Sequence, residues 1–258
     1  MNSDLPEKLL LSKKTRDICP DTVYRVWADC QKRYRKPKDV EKAVREALHG
    51  ISGAFMTPQE CRQLAFDMQA WYVAKTDIGL ERMLSRHAST RERLPLSEMD
   101  ALYERITAVT GKPRSVLDLA CGINPLYLGA RELPTVGIDI SGSAVEAVNR
   151  FGEVYGMPVS ARCADLLCPG AIPAKRFDVA LLFKLLPLLE RERKGAALDV
   201  MNAVSADWLA VSFPTRTLGG RNVGMAAQYS AWMEEHLPAG RRVAASFETG
   251  NELFYLLR

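Results

Sequence analysis

The stretch Asp118-Leu-Ala-Cys-Gly-Ile-Asn-Pro125 decides the predicted fold of this 258-residue chain. It completes a β-type run that begins at Ser115, and it places a glycine where that strand would turn into a helix. In an open α/β sheet, ligands bind at the carboxyl ends of the strands, where the strand order reverses. Gly122 would let the backbone pass close to such a ligand. The stretch therefore predicts the first strand and the binding loop of an α/β sheet.

Further β-type runs follow the first one, most of them separated by helix-length segments. They cover residues 135–140, 159–165, 177–183 and 208–213. This alternation predicts βαβ units and a buried parallel sheet. The last two runs, residues 242–248 and 252–257, are joined by Thr249-Gly-Asn251 and predict an antiparallel hairpin. A parallel sheet finished by a hairpin is the pattern of the Rossmann-like class I methyltransferases.

The N-terminal third has the pattern of successive helices. Five residues follow the i, i+3, i+4, i+7 spacing of an amphipathic helix: Val23, Val26, Trp27, Cys30 and Tyr34. Asp21 would cap this helix. A second helix would run to about His49, where Gly50 and Gly53 interrupt it. Thr57-Pro-Gln-Glu60 is a capping box that would open a third helix.

The two parts of the chain also differ in charge. Up to Pro95 the sequence has 18 Lys and Arg against 13 Asp and Glu, an excess of five, and the remainder has 17 against 18. A basic excess confined to one part suits a polyanionic partner. The sequence thus predicts a helical, basic domain over residues 1–86 and an α/β domain over residues 87–258.

Composition also limits the location of the protein and its use of metals. The most apolar stretch, residues 179–189, is too short to span a membrane and contains Lys184, and the first residues lack the features of a signal peptide. We therefore expect a cytoplasmic protein with no membrane contact. The six cysteines form no C-x-x-C pair, which favours reduced core thiols and no metal site.

Acidic residues lie at the ends of the first three predicted strands: Asp118, Asp139 and Asp165. Asp139 ends the second strand, about twenty residues after the first, where an acid can accept from ribose hydroxyls. Asp165 follows the third strand and would contact an adenine. A dinucleotide site would need G-x-G-x-x-G, but two of the glycines are missing and Pro125 has no N–H. The pattern favours S-adenosylmethionine over NAD, with an ordinary buried strand and turn as the alternative.

Four segments resemble signature segments of the 16S rRNA (guanine-1405-N7) methyltransferases, the aminoglycoside-resistance enzymes. They are His87-Ala-Ser-Thr-Arg-Glu-Arg93, residues 118–125, Phe183-Lys-Leu-Leu-Pro-Leu-Leu-Glu190 and Ser212-Phe-Pro-Thr-Arg-Thr-Leu-Gly-Gly-Arg221. The similarity extends over nearly the whole chain. It implies methyl transfer from S-adenosylmethionine, with S-adenosylhomocysteine as product, to a guanine in the decoding centre of the assembled 30S subunit. It also implies rRNA contacts from both domains, with residues 1–86 as an rRNA-binding domain.

The predicted site has a cofactor part and an RNA part. The cofactor-binding candidates are His87, Thr90, Arg93, Asp118, Ala120, Gly122, Asn124, Asp139, Ile140, Asp165 and Leu166. The RNA-binding candidates are Lys38, Lys42, Arg45, His49, Lys184, Arg191, Arg216, Arg221 and Met225. Of these, Arg45, His49, Lys184, Arg191, Arg216 and Met225 come from the resemblance by motif position. We expect the protein to be a monomer.

A row of basic residues carries the RNA prediction from the sequence itself. Lys38, Lys42, Arg45 and His49 are spaced four, three and four apart, so they fall on one helix face. Apolar residues occupy the opposite face, and no acid lies within the basic row. This arrangement suits phosphate binding. A solvated surface with no partner is the alternative.

Two further segments have a functional and a structural interpretation. Arg93 would pair with the carboxylate of the cofactor's methionine moiety, whereas Ser89-Thr-Arg-Glu92 fits a capping box that would only start a helix. Phe183 would stack on an extruded guanine and Lys184 would hold a phosphate or base edge, so this pair would position the target base. The alternative is a core phenylalanine and a lysine lying along the surface.

The predicted chemistry needs no general base, because guanine N7 carries a lone pair and no proton at neutral pH. Two other functions stay open at this point. One is a methyltransferase that acts on another rRNA atom or on a small molecule. The other is a non-catalytic ribosome-binding protein with an unused cofactor pocket.

Overall fold

The computed structural model describes residues 4–52, 56–215 and 225–258. The helices are α1 (Leu5–Leu11), α2 (Pro20–Arg33), α3 (Pro37–Ser52), α4 (Pro58–Ala74), α5 (Asp77–Leu84), α6 (Ala88–Arg91), α7 (Leu96–Thr110), α8 (Asn124–Ala130), α9 (Gly142–Tyr155), α10 (Leu186–Glu192), α11 (Ala196–Ala203) and α12 (Met225–Glu235). The strands are β1 (Val116–Leu119), β2 (Thr135–Asp139), β3 (Val159–Cys163), β4 (Phe177–Phe183), β5 (Ala206–Pro214), β6 (Val243–Thr249) and β7 (Glu252–Leu257).

The strands form one seven-stranded sheet in the order β3-β2-β1-β4-β5-β7-β6. Strands β1 to β5 pair in parallel, whereas β7 runs antiparallel to both β5 and β6. The predicted parallel sheet with a C-terminal hairpin is confirmed. The strand order reverses between β1 and β4, so the crevice at their carboxyl ends is the expected ligand site.

Apolar side chains cover both faces of this sheet. All four residues of β1 are buried, as expected for a central parallel strand. Side chains of α4, α5, α7, α8 and α9 share one core with the sheet, and those of α10 and α11 share the other. Ring centroids of Trp71 in α4 and Phe151 in α9 lie 5.2 Å apart. The sheet is therefore enclosed on both sides, and its carboxyl edge is left for a ligand.

Helices α1, α2 and α3 form a core of their own, and we call them the N-terminal unit. Leu9, Val23, Val44 and Leu48 are inaccessible at its centre. Helices α4 and α5 instead pack into the core of the sheet. The division predicted between residues 1–86 and 87–258 stays a prediction, and the apolar packing itself changes after α3.

The helix ends match the sequence predictions only in part. The capping box of α4 is confirmed, since the Thr57 amide donates to Glu60 at 2.7 Å and the Glu60 amide donates to Thr57 at 3.2 Å. The cap predicted for α2 is wrong, because Cys19 is the N-cap and Asp21 lies in the first turn. Gly50 does not end α3 but lies within it. Tertiary packing of the apolar face continues that helix past the glycine.

The described residues bear on the membrane and metal expectations as well. In residues 4–52, 56–215 and 225–258, no helix is long and apolar enough to cross a membrane. All six cysteines are free thiols, of which Cys19, Cys30 and Cys121 are buried and the other three partly buried. The same ranges contain no group of three or more His, Cys, Asp or Glu side chains placed to hold a metal ion.

Candidate cofactor and RNA site

One carboxylate ties together the loops that follow β1 and β2. The Gly122 amide donates to Oδ2 of Asp139 at 2.8 Å, and the Ser141 amide donates to Oδ1 at 2.8 Å. Burial raises the pKa of Asp139, and these backbone hydrogen bonds oppose the rise. A carboxylate offers about four acceptor positions. Asp139 therefore keeps capacity for the ribose hydroxyls predicted to bind there.

Gly122 lies directly against the His87 ring. Its φ is +51°, and a Cβ added at Gly122 would lie 2.6 Å from Cε1 of His87. Burial, followed by the charge of Arg93, lowers the pKa of His87 to about 4, so the ring is neutral at pH 7. The predicted binding loop thus needs glycine for its backbone conformation and for its contact with the imidazole.

The capping box predicted at Ser89 is wrong. Helix α6 has only four residues, and its N-cap is His87, whose Nδ1 accepts from the Ser89 amide at 3.3 Å. The hydroxyl of Thr90 is buried and donates to the His87 carbonyl at 3.1 Å. Glu92 contacts Lys184 instead of a helix amide. The helix begins two residues earlier than the box predicts, so the His87 imidazole accepts from the Ser89 amide, and the Glu92 amide donates to the Ala88 carbonyl.

A buried polar network lies inside the loop after β1. Nδ2 of Asn124 donates to Asp118 at 2.7 Å and to the Tyr103 hydroxyl at 2.9 Å. Burial raises the pKa of Asp118 to about 7, although Asn124 and Arg93 lower it. Ala120 is exposed and has a φ of 54°. The buried hydrogen bond between Asn124 and Asp118 therefore stabilises the loop after β1 from its inner side, and Ala120 lies on the exposed side of that loop.

Arg93 pairs with a carboxylate of the chain itself. Its Nε and Nη2 donate to the two oxygens of Glu252 at 2.8 and 3.1 Å, and the two side chains are only 8% and 2% exposed. The guanidinium carbon also lies 4.9 Å from the ring centroid of Phe183. A guanidinium has five N–H donors, of which Glu252 takes two. The pairing of Arg93 with a cofactor carboxylate stays a prediction, in which this arginine would serve two carboxylates.

The end of β4 brings Phe183 and Lys184 to the same place. Lys184 has a left-handed φ of 52°, and its Nζ contacts Glu92 and lies 3.4 Å from Glu252. The Phe183 ring is half-buried and packs edge-on against Phe254, with the centroids 5.3 Å apart. Lys184 is thus paired with two acids, and Phe183 has a core contact besides the stacking role predicted for it.

Glu252 is a residue of this cluster that sequence reasoning missed. It begins β7, all six residues of which are buried. One of its oxygens accepts from the Ser212 hydroxyl at 2.6 Å. A buried acid requires a cationic or hydrogen-bonding partner. A glutamate at the start of an otherwise apolar strand was therefore the available signal.

The N-terminal unit closes one side of the carboxyl edge. Oδ2 of Asp165 accepts from Nε of Arg25 at 2.8 Å. The Ile140 carbonyl accepts from the Cys19 amide at 2.7 Å. Leu166 packs against the second core of the sheet. The structure therefore brings Asp165 and Ile140 to the predicted cofactor edge, where Arg25 of α2 and the N-cap residue Cys19 already contact them.

Four basic side chains of α3 are exposed in a row, as predicted: Lys38, Lys42, Arg45 and His49. We call these four residues the basic stripe. No acid lies within the row itself, but two acids flank it and pair with its members. Arg45 pairs with Glu41 at 2.8 Å and Lys42 pairs with Glu46 at 3.9 Å. Acids four residues away along a helix reach the row from its flanks, so part of its charge is neutralised.

Two of the other RNA-binding candidates lie in helices of the α/β part of the chain. Arg191 is exposed in the last turn of α10, and Met225 is half-buried at the start of α12. Arg216 and Arg221 lie outside the described residues.

Comparison with known proteins identifies the family. The family described as ribosomal RNA methyltransferase (FmrO) matches residues 11–254. The chain belongs to this family. Among its relatives, a 16S rRNA (guanine(1405)-N(7))-methyltransferase of Serratia marcescens is 42% identical over 257 residues, covering 99% of this chain and 98% of that protein. A protein of the same name from Frankia casuarinae is 33% identical, covering 98% and 92%.

Solved structures of two rRNA methyltransferases share the fold of this methyltransferase along its length. The 16S rRNA methyltransferase RmtF, in complex with S-adenosyl-L-homocysteine, is 42% identical with a TM-score of 0.90, covering 100% of this chain and 99% of that one. The 16S rRNA methylase RmtB is 39% identical with a TM-score of 0.86, covering 99% and 97%. The class I methyltransferase architecture predicted from the sequence is confirmed.

The carboxyl edge of this methyltransferase fits an adenosyl cofactor. Strands β2 and β3 are in register at Asp139 and Cys163, so the carboxylates of Asp139 and Asp165 follow adjacent strands. Gly122 supplies a left-handed turn beside them. Pro125 lies in the first turn of α8, where a pyrophosphate would need backbone N–H donors. The acceptors suit ribose and adenine, and the loop lacks the donors that a dinucleotide requires.

Proposed function

We propose that this methyltransferase transfers the methyl group of S-adenosylmethionine to N7 of guanine 1405 of 16S rRNA in the assembled 30S subunit, and that the modification gives aminoglycoside resistance. The observation that carries the proposal is the 42% identity, over 99% of the chain, to an enzyme named for this reaction. The hydrogen bond between Gly122 and Asp139 at the carboxyl edge of the sheet, with Asp165 following the adjacent strand β3, supports it.

In the proposed reaction, the residues of this chain bind the cofactor and orient it toward the target base. The bound cofactor would supply an electrophilic sulfonium methyl. Asp139 would accept from the ribose, Asp165 would accept from the adenine amino group, and Arg93 would bind the terminal carboxylate. Orientation of reacting groups can supply up to about 7–11 kcal/mol of barrier lowering. The three contacts would fix the methyl toward the end of β4.

The target base would meet the cluster at the end of β4. Phe183 would offer a stacking surface and Lys184 a cationic contact to the RNA. Extruding a base from its stack costs a few kcal/mol, which phosphate contacts of the basic stripe would offset. The methylated base is cationic. The carboxylates of Glu92 and Glu252, which contact Lys184, place negative charge close to where that cation would form.

Labelled S-adenosylmethionine tests the proposal directly. Purified protein is incubated with intact 30S subunits and, separately, with naked 16S rRNA, and the labelled nucleotide is mapped. We expect label on N7 of guanine 1405 in subunits only. Label at another nucleotide would keep a methyltransferase and reject the site, and cofactor binding without any label would point to a different substrate.

The variant Asp139→Ala is the control for the cofactor part of the site. It removes the acceptor for the ribose and the bond to Gly122, so calorimetry should show weaker binding of S-adenosylhomocysteine and no methylation. Subunit binding should persist, since Asp139 lies away from the basic stripe. Unchanged cofactor affinity in this variant would reject its assignment to the ribose.

A further inference from the structure

The segment Asp17–Arg25, which we call the docking segment, is bound to the loop after β2. The carboxylate of Asp17 accepts from the Ser143 amide at 2.6 Å, and the Asp17 carbonyl accepts from the Gly142 amide at 2.6 Å. Cys19 adds its amide bond to Ile140. A carboxylate at the first amides of α9 also interacts favourably with the positive end of that helix. The docking segment is therefore anchored beside the cofactor edge.

The docking segment also reaches the loop after β3, through Arg25. Nε of Arg25 lies 2.8 Å from Oδ2 of Asp165, and Nη1 lies 3.6 Å from Glu192 in α10. The side chains of Arg25 and Asp165 are 17% and 5% exposed. Burial alone would lower the pKa of Arg25, but the two acids raise it above its usual value. Arg25 is thus a fixed cation between two elements of the methyltransferase fold.

The two oxygens of Asp165 are held from different parts of the chain. Oδ1 accepts from the Leu167 amide of its own loop at 2.9 Å, whereas Oδ2 accepts from Arg25, 140 residues away. Two bonds from different parts of the chain, one to each oxygen, fix the plane of the Asp165 carboxylate. Positions on both oxygens stay available to a further donor. Without Arg25, only the Leu167 amide would orient this carboxylate.

We infer that Arg25 is a positioning residue of the cofactor site, which holds the Asp165 carboxylate in the orientation that selects the amino group of adenine. The inference rests on the proposed function, since it takes Asp165 as the adenine acceptor. It makes recognition of the nucleobase depend on the docking of the N-terminal unit. Helix α2 of the N-terminal unit carries Arg25 and helix α3 carries the basic stripe. The same unit would therefore serve both the cofactor site and RNA binding.

Two ligands that differ only at the nucleobase test this role. S-adenosylhomocysteine has an amino group at the 6-position of its base, and S-inosylhomocysteine has an oxygen there, which a carboxylate would repel. Calorimetry on the full-length protein compares both ligands for wild type, Arg25→Gln and Arg33→Gln. Arg33 is exposed on the same helix, eight residues and about 12 Å further along its axis. The control therefore removes the same charge away from Asp165.

We expect Arg25→Gln to weaken S-adenosylhomocysteine binding by about tenfold, as for a lost charge-assisted contact. Binding of S-inosylhomocysteine should change by less than about twofold, or improve, so the ratio of the two affinities falls. Arg33→Gln should keep the ratio of wild type. Thermal unfolding of each variant separates this effect from a general loss of fold.

An unchanged ratio of the two affinities in Arg25→Gln would overturn the inference. If both affinities fell equally, Arg25 would only support the fold, and if neither fell, Arg25 would not act on the site. If Arg25→Gln does not fold, Arg25→Lys keeps the charge and loses the planar guanidinium, and the same fall in the ratio is expected. Failure of wild type to bind S-adenosylhomocysteine would instead reject the proposed function together with this inference.

Discussion

Arg93 and Glu252 form a two-bond ion pair, at 2.8 and 3.1 Å, that joins the turn after α6 to the first residue of β7. Both side chains are nearly inaccessible. Burial would raise the pKa of Glu252, but Arg93 and Lys184 lower it below its usual value. The pair is thus charged when buried, and it holds the C-terminal hairpin against the segment that carries His87.

Glu252→Gln should destabilise the protein by about 3–5 kcal/mol, because removing one partner of a buried ion pair leaves the other charge uncompensated. Urea unfolding at pH 7.5 measures the change. Glu248→Gln, at an exposed position of the same hairpin, is the control and should change stability by less than about 0.5 kcal/mol. Similar values for the two variants would mean that the ion pair adds nothing to the fold.

Gly122→Ala should disturb the cofactor loop more than an ordinary glycine substitution. The added Cβ would lie 2.6 Å from the His87 ring, and φ is +51°. We expect a loss of about 2–5 kcal/mol, from roughly 1–2 for the left-handed conformation and roughly 1–3 for overpacking. Urea unfolding measures this loss, and calorimetry should show weaker binding of S-adenosylhomocysteine.

Gly156→Ala is the matched control for this substitution. Gly156 has a left-handed φ of +69° with nothing within 4 Å of an added Cβ, so only the conformational cost applies. In a His87→Ala background, the cost of Gly122→Ala should fall toward that of Gly156→Ala. A cost of Gly122→Ala that does not depend on residue 87 would contradict the steric explanation.

His87 should make stability rise with pH between about 4 and 6.5. Its pKa falls from 6.5 to about 4 on folding, chiefly through burial, so the unfolded chain binds more protons across this window. Stability is then lost as the pH falls, by up to about 3 kcal/mol at 1.36 kcal/mol for each pKa unit. Urea unfolding at pH 4.5 and 7.5 should show this slope in wild type and not in His87→Gln.

Asp118 acts in the opposite direction and has to be separated from His87. Its pKa rises from 3.8 to about 7 on folding, so its contribution to stability falls as the pH rises through that range. The contribution of Asp118 to the pH dependence of stability is present in both wild type and His87→Gln. The difference between the two proteins therefore isolates the imidazole, and an identical pH dependence would show that His87 titrates normally.

The sequence predicted the fold well because the signals for the fold are local. Runs of buried strand residues, the Thr57 capping box and the glycine after β1 each lie within a few neighbouring residues, and periodicity detects them. The start of α6 shows the limit of such signals. Ser89 fits a capping box, but that pattern does not consider histidine as an N-cap. In the structure His87 is the N-cap of α6.

The partners of the site residues could not be predicted in the same way. Arg25 meets Asp165 across 140 residues, and Arg93 meets Glu252 across 159. No spacing rule connects such pairs, because tertiary packing sets them. The identity and sequence position of the cofactor-binding candidates were therefore predictable. The ion pairs that orient Asp165 and Arg93 could be identified only from the folded structure.

Arg45→Glu should weaken binding to the 30S subunit and leave the cofactor affinity unchanged. Arg45 is exposed in the basic stripe and is already paired with Glu41 at 2.8 Å. Loss of one phosphate contact should reduce the slope of log affinity against log salt by about one. Filter binding between roughly 50 and 200 mM salt measures this slope, with S-adenosylhomocysteine calorimetry as the second readout.

Two further variants test whether the effect belongs to the basic stripe. Lys112→Glu, at an exposed position before the amino end of β1, carries the same charge reversal away from the stripe and should keep the wild-type slope. Glu41→Gln should have the opposite effect and tighten subunit binding, because it frees the Arg45 guanidinium for phosphate. A salt slope that is the same in Arg45→Glu, Glu41→Gln and wild type would exclude this face of α3 from the RNA interface.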